Sequence, residues 1–79
     1  MHHKEKTLSH MAKGESCVIE SFTDDVMKQK LIEMGCLPGE IITIDRFAPF
    51  GCPMAIDVAG STLSIRMDEA DHIIVKPLS

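Results

Sequence analysis

The segment LIEMGCLPGE, residues 31–40, places two chain reversals between an apolar helical pattern and an isoleucine-rich run. Gly35 follows the last apolar residue of the helical pattern, where helices commonly end in a left-handed backbone conformation that suits glycine. Residues 37–40 then fit a type II turn, with Pro38 and Gly39 at its two central positions. The segment therefore predicts that a helix ends, the chain reverses and a strand begins within a few residues.

The helix predicted before this segment covers residues 23–35. Met27, Leu31 and Met34 recur at helical spacing, with Val26 beside them, and form one apolar face. So short a helix is marginal on its own in water, so this face must pack against the rest of the chain.

Five short segments with strand-like alternation surround the helix. They are residues 15–22, 40–47, 54–59, 62–66 and 73–77. The third and fourth are close enough to form a hairpin with a turn at Gly60-Ser61. Few, short strands with turns rich in Gly and Pro predict a mainly β fold, in which a small bent sheet closes into a barrel. The helix would lie between the first two strands and cover one open end.

Length and charge narrow the functional classes. The chain has 79 residues and a net charge of −4, which fits one domain and does not fit the basic surface of a nucleic-acid binder. It contains no apolar stretch of the ~20 residues needed to span a bilayer, and its start lacks the apolar core of a secretory signal. We expect a flexible N-terminus over residues 1–6 and one cytoplasmic domain over residues 7–79, not embedded in a membrane.

Catalytic signals are weak. The sequence has no G-x-x-x-x-G-K-[ST] phosphate loop, and Cys36 follows a helix C-terminus, the wrong end to lower a thiol pKa. The three cysteines are widely spaced without a C-x-x-C pair, which predicts reduced thiols rather than disulfides or a zinc ribbon. The sequence therefore predicts a protein that is not an enzyme and needs no cofactor.

Several motifs resemble the ferrous-iron transport protein A family, over about Leu8 to Val75. The most specific is L-x-x-M-G-x-x-P-G, and the AP-GCP loop and the ending LSIRMDEADHIIV add to it. The residues of that first motif are Leu31, Met34, Gly35, Pro38 and Gly39. Two positions depart from the family's pattern: Ile65 stands where leucine is usual, and Lys13 where proline is expected.

The resemblance implies an SH3-like barrel of about five strands. It also implies a non-catalytic, cytoplasmic accessory protein of ferrous iron transport, acting by contact with a membrane iron transporter. The partner would be the GTPase domain of that transporter, protein B of the same system.

Three apolar residues are candidate partner contacts because the core cannot easily use them. Leu37 lies in the tight turn, Phe50 in the loop between Pro49 and Gly51, and Met54 just after that loop. An aromatic and a methionine in a loop are typical anchors of a protein interface. Folding of Phe50 back over the barrel mouth is an equally open alternative, and the same residues could form a homo-oligomer.

Direct metal binding is the main alternative function. Glu69 and His72 have the i, i+3 spacing of ligand pairs in carboxylate di-iron bundles, with Asp68 and Asp71 beside them. Those bundles use four helices, so we favour a solvated acidic turn and assign no metal ligand. An iron-sensing domain that uses these side chains or the thiols remains an alternative, as does an SH3-like adaptor for another protein.

Overall fold

The computed structural model describes residues 6–78, which form six strands, two α-helices and one short 3-10 helix. The strands are β1 (Lys6–Thr7), β2 (Ser16–Phe22), β3 (Ile41–Phe47), β4 (Met54–Val58), β5 (Ser61–Ile65) and β6 (Ile73–Pro77). The helices are α1 (Asp25–Met34) and α2 (Met67–Ala70), and the 3-10 helix is Leu8–His10.

The described strands form one antiparallel sheet in the order β1-β6-β2-β3-β4-β5. The register shifts once between β2 and β6 and once between β3 and β4, and such bulges bend a strand and increase its twist. The mainly β class is confirmed. The predicted barrel is a loose description, because over residues 6–78 the sheet keeps two edges, β1 and β5, and does not close.

A flexible N-terminus was predicted for residues 1–6. Residues 1–5 lie outside the described residues. Lys6 belongs to β1 and lies opposite Val75 of β6. This two-residue strand is the addition to the five predicted ones.

Helix α1 is shorter than predicted at both ends. It begins after Asp24, whose carboxylate accepts a hydrogen bond from the Met27 N–H at 2.9 Å. Thr23 lies outside the helix because its N–H donates to the His72 carbonyl at 3.0 Å. An acidic side chain at this position both satisfies an unpaired N–H and complements the positive end of the helix dipole.

The two reversals after α1 have the predicted geometry. Gly35 has φ +112° and ends the helix, and the Cys36 N–H donates to the Leu31 carbonyl at 2.9 Å. Gly39 has φ +92°, and the Glu40 N–H closes the turn on the Leu37 carbonyl at 3.1 Å. The first strand residue, Ile41, follows directly.

The core is aliphatic and lies between the inner face of the bent sheet and the helices. Leu31 is its fully buried residue from α1, and Met27 and Met34 pack half-buried against it. Val26, expected beside them, is 79% exposed, because consecutive helical residues point about 100° apart. The largest fully buried side chains from the sheet are Ile19, Ile42, Ile44, Met54, Ile56, Ile65 and Ile73.

The β4–β5 hairpin turns one residue earlier than predicted. Val58 pairs with Ser61, so the turn residues are Ala59 and Gly60, with φ of +52° and +81°. Positive φ at both central positions is the two-residue turn whose twist matches that of the flanking strands. The predicted Gly60-Ser61 turn was wrong because Ala59 does not look like a residue with positive φ.

Candidate functional site

The loop between β3 and β4 presents the most exposed aromatic side chain among the described residues. Phe50 is 98% exposed. The loop is held by two backbone hydrogen bonds, from the Gly51 N–H to the Ala48 carbonyl at 2.7 Å and from the Ala48 N–H to the Pro53 carbonyl at 3.0 Å. Phe50 therefore does not fold back over the sheet, and a bonded turn points it into solvent.

A cleft of about 320 Å³ lies beside this loop. Its lining is mostly apolar, and Arg46 is its one charged lining residue within the described chain. Arg46, Ala55 and Ser64 occupy neighbouring positions on β3, β4 and β5, as the strand register shows. The rest of the lining comes from Phe47, Ala48, Pro49, Pro53 and Met54. An exposed ring next to an apolar depression is an arrangement that suits protein–protein contact.

Met54 does not belong to the exposed set. It is 0% exposed and packs in the hydrophobic core, because it lies in β4 opposite Phe47 and Ile65. A residue directly after a loop can be the first inward-facing residue of a strand, and that is its position here. Met54 borders the cleft but has no exposed surface to offer a partner.

Leu37 is exposed but lies away from Phe50. It sits in the turn before β3, whereas the Phe50 loop follows the far end of β3. Seven extended residues separate the two ends by about 20 Å. The three predicted contacts therefore do not form one site.

A second apolar patch, which the sequence analysis missed, surrounds the start of β3. Ile41 is exposed and lies opposite half-buried Val18 on β2. Leu78 is also exposed, and its N–H donates to the Ser16 carbonyl, which places it diagonally next to Val18. These residues are neighbours only because of the strand register, so their spacing along the sequence could not predict the patch.

The acidic turn around α2 has a structural role. Glu69 is 6% exposed, accepts a hydrogen bond from the Arg66 N–H at 3.0 Å and forms an ion pair with Lys30 of α1 at 2.6 Å. His72 shares a hydrogen bond with the Thr23 hydroxyl at 2.7 Å, and the Ser9 hydroxyl donates to Asp71. The expected solvated turn was therefore wrong for Glu69, whose buried carboxylate connects the two helices.

These contacts occupy Glu69, Asp71 and His72, three of the side chains that the metal-binding alternative would use. Among residues 6–78, no three His, Cys, Asp or Glu side chains come together as metal ligands would. Glu69 and His72 point to different partners, despite their i, i+3 spacing.

Acid should weaken the connection made by Glu69. The hydrogen bonds from Lys30 and from the Arg66 N–H hold the pKa of Glu69 below its ordinary value of 4.5. Because the pKa of Glu69 is lower in the folded state than in the unfolded state, its ionised form stabilises the fold at pH values above the unfolded-state pKa. This stabilisation is lost as the pH falls through the folded-state pKa. We expect Glu69→Gln to lower the free energy of unfolding by about 1–2 kcal/mol at pH 7, and the difference to shrink steadily below about pH 4.5.

Urea titrations of both proteins from pH 7 to pH 3 measure this difference. Lys30→Met is the matched partner variant, and the double variant should lose less than the sum of the two single losses. A pH-independent difference would show that the Glu69 charge is not what stabilises the fold.

The three thiols have different environments. Cys17 and Cys36 are buried and Cys52 is exposed, and none of them is in a disulfide within the described chain. Burial, followed by the nearby Glu15 charge, raises the pKa of Cys17 to about 11. Burial, followed by Glu69, also raises the pKa of Cys36.

We expect one thiol to react quickly with Ellman's reagent at pH 8 in the folded protein. That thiol is Cys52, and the other two should react only after denaturant is added, because a buried neutral thiol is a poor nucleophile. Cys52→Ser should abolish the fast phase alone. Simultaneous reaction of all three thiols without denaturant would contradict the burial of Cys17 and Cys36.

Neither helix in the described part of the chain has the length and apolar character that crossing a membrane requires.

A family model and several solved structures of known proteins place this chain in the same family. A family model described as FeoA domain matches residues 6–77. No curated protein matches the sequence. Iron(II) transport protein A from Clostridium thermocellum aligns with a TM-score of 0.85 and 31% identity, over 92% of this chain and 46% of that one. The chain thus spans less than half of that relative's length.

Two further solved structures match almost end to end. The FeoA-like protein from Clostridium acetobutylicum has a TM-score of 0.89 and 28% identity, with coverage of 99% of this chain and 92% of that one. FeoA from Stenotrophomonas maltophilia, solved with zinc, has a TM-score of 0.77 and 29% identity, with coverage of 90% and 89%. That protein is described as a prokaryotic SH3 domain protein suggested to act as a ferrous iron transport activating factor.

Proposed function

The chain belongs to the FeoA domain family, and from that membership we propose that it is a cytoplasmic accessory protein that contacts the GTPase domain of a membrane ferrous-iron transporter. The family is linked to ferrous iron transport. The observation that supports a contact mechanism is Phe50, held fully exposed on a hydrogen-bonded turn beside an apolar cleft.

The energetics favour this surface as the contact. An exposed aromatic ring gains most of its interaction energy only when a partner removes it from water. Because backbone hydrogen bonds fix the turn, little conformational entropy is lost when the ring is captured. A second side chain from the partner could fill the neighbouring cleft.

Isothermal titration calorimetry with the purified GTPase domain of the cognate transporter tests the proposal. The full chain is titrated against the domain without nucleotide, with GDP and with a non-hydrolysable GTP analogue, and GTP hydrolysis is followed in parallel. We expect saturable binding in at least one state, with a negative heat-capacity change because apolar surface is buried. No heat of binding and no change in hydrolysis in any state would overturn the proposal.

The reactivity of Cys52 can report whether the Phe50 loop is part of the contact, because Cys52 lies in the same loop and is exposed. Binding through this loop should slow alkylation of Cys52 by iodoacetamide.

Anaerobic titration of the isolated chain with ferrous iron tests the metal-binding alternative. A stoichiometric site that disappears in His72→Ala would support that alternative.

A further inference from the structure

Within residues 6–78, no further strand pairs with the edge of the sheet at β5. Among these residues β5 pairs only with β4, and β1, at the other edge, is two residues long. The sequence of β5, Ser-Thr-Leu-Ser-Ile, contains no charge and no proline. Natural sheets usually block their edges with charges, proline, bulges or a covering element, so a bare edge strand is available for pairing.

The hairpin turn determines which backbone groups of β5 face outward. In a two-residue hairpin the residues flanking the turn, here Val58 and Ser61, form a hydrogen-bonded pair, and bonded and non-bonded pairs then alternate. The N–H and C=O groups of Thr62 and Ser64 therefore point away from β4. Within residues 6–78 neither N–H donates to another backbone or side-chain group, and both residues are exposed.

The cleft continues to this edge. Arg46, Ala55 and Ser64 form a row across β3, β4 and β5, and all three line the cleft. A strand added beyond β5 would lie about 4.8 Å from it. Its residue opposite Ser64 would extend the row, so that its side chain meets the open end of the cleft.

The chemistry of the cleft indicates what that strand must carry. Most of the lining is apolar, and its one charged residue in the described chain is Arg46. Among the described residues, the one carboxylate within ion-pair range of Arg46 is that of Asp45, whose oxygen is 3.9 Å from the Arg46 Nε, at the limit of an ion pair. In a chain of net charge −4, this places a weakly paired cation beside an apolar depression, which is complementary to a segment with an apolar and an acidic residue.

We propose that the partner binds by adding an extended segment, with an apolar side chain and a nearby carboxylate, to the edge of β5. Backbone pairing with Thr62 and Ser64 supplies affinity, while the cleft and Arg46 supply selectivity, as in other cases of strand addition. The proposal rests on the proposed function, because the partner is the GTPase domain.

Amide hydrogen exchange followed by NMR, on the chain alone and with saturating GTPase domain, tests it. In the free chain, the Thr62 and Ser64 amides should exchange at least tenfold faster than the Ser61, Leu63 and Ile65 amides. In the complex, exchange at Thr62 and Ser64 should slow by at least tenfold. Slowing at Thr62 and Ser64 is the pattern that strand pairing requires, because these are the outward amides of β5, and the variants below separate pairing from simple coverage of the surface.

Two variants at one position provide a matched pair. Ser64→Pro removes the outward N–H and also fixes φ and replaces the side chain, changes that edge strands tolerate where the N–H faces solvent, and it should weaken binding at least tenfold. Ser64→Thr keeps the N–H and should bind within threefold of the parent. Equal binding by both variants, with Ser64→Pro shown to be folded by its thermal melt, would overturn the proposal.

The outcomes separate the two proposals. Calorimetric binding without new protection at Thr62 and Ser64 overturns strand addition and leaves the accessory function standing. No binding at all overturns both. Protection that appears in the chain alone as its concentration rises assigns the edge to a second copy and overturns the choice of partner.

Discussion

Gly35→Val should lower the free energy of unfolding by about 2–3 kcal/mol, because a β-branched residue resists positive φ. Gly35 has φ +112° at the end of α1. A Cβ at this position would meet the Leu63 Cδ1 at 3.8 Å, an ordinary contact, so the loss comes from the backbone rather than from a clash. Since a domain of this size has only about 3–5 kcal/mol in total, thermal melting should show a partly unfolded protein at moderate temperature.

Gly35→Asn is the matched control. Asparagine visits left-handed conformations more readily than valine, so its loss should be about half as large. Equal melting temperatures for the parent, Asn and Val proteins would show that the helix end does not require positive φ.

Phe50→Ala should weaken binding to the GTPase domain by about 30–100-fold, the equivalent of about 2–3 kcal/mol for a central aromatic anchor. Stability should not change, because Phe50 is 98% exposed and contributes little to the core. Calorimetric titration of the variant, with a thermal melt of the same sample, measures both quantities.

Val26→Ala is the control for Phe50→Ala. Val26 is also highly exposed but lies on α1, outside the loop and the cleft, so its truncation should leave the affinity unchanged. Similar losses for both variants would point to a non-specific apolar effect. Unchanged affinity for Phe50→Ala would remove the loop from the interface.

The sequence predicted most accurately where local chemistry decides the backbone. Both chain reversals were predicted correctly from Gly35, Pro38 and Gly39. Glycine readily adopts positive φ, and the proline ring fixes φ. The prediction failed at Ala59, whose positive φ is imposed by the twist of the paired strands. The mainly β class followed from the short alternating segments and the turns between them, and the family from the resemblance of motifs that include these turn residues.

The candidate site was only partly predictable. Phe50 was recognisable because an aromatic residue between Pro and Gly has few neighbours to pack against. Met54 was assigned to the surface in error, because the inward or outward direction of a first strand residue depends on register. Arg46 and Ser64 were missed for the same reason, as they become neighbours of the cleft only through pairing across β4.

Glu69 illustrates a tertiary effect on a local pattern. The run MDEADH looks like a solvent-exposed acidic turn, but all four of its acidic and histidine side chains contact polar groups. The approach of Lys30 on α1, together with the hydrogen bond from the Arg66 N–H, makes burial of the Glu69 carboxylate tolerable. No spacing rule within the turn could have indicated that distant cation.

The stiffness of the Ala48–Pro53 loop has a kinetic consequence. A ring already held in its capture position needs no rearrangement before encounter, so association should be limited by diffusion and orientation rather than by an opening step. The loop would then keep the same conformation before and after binding. Under the proposed function, we therefore expect any on–off timing of the complex to originate in the nucleotide cycle of the GTPase domain.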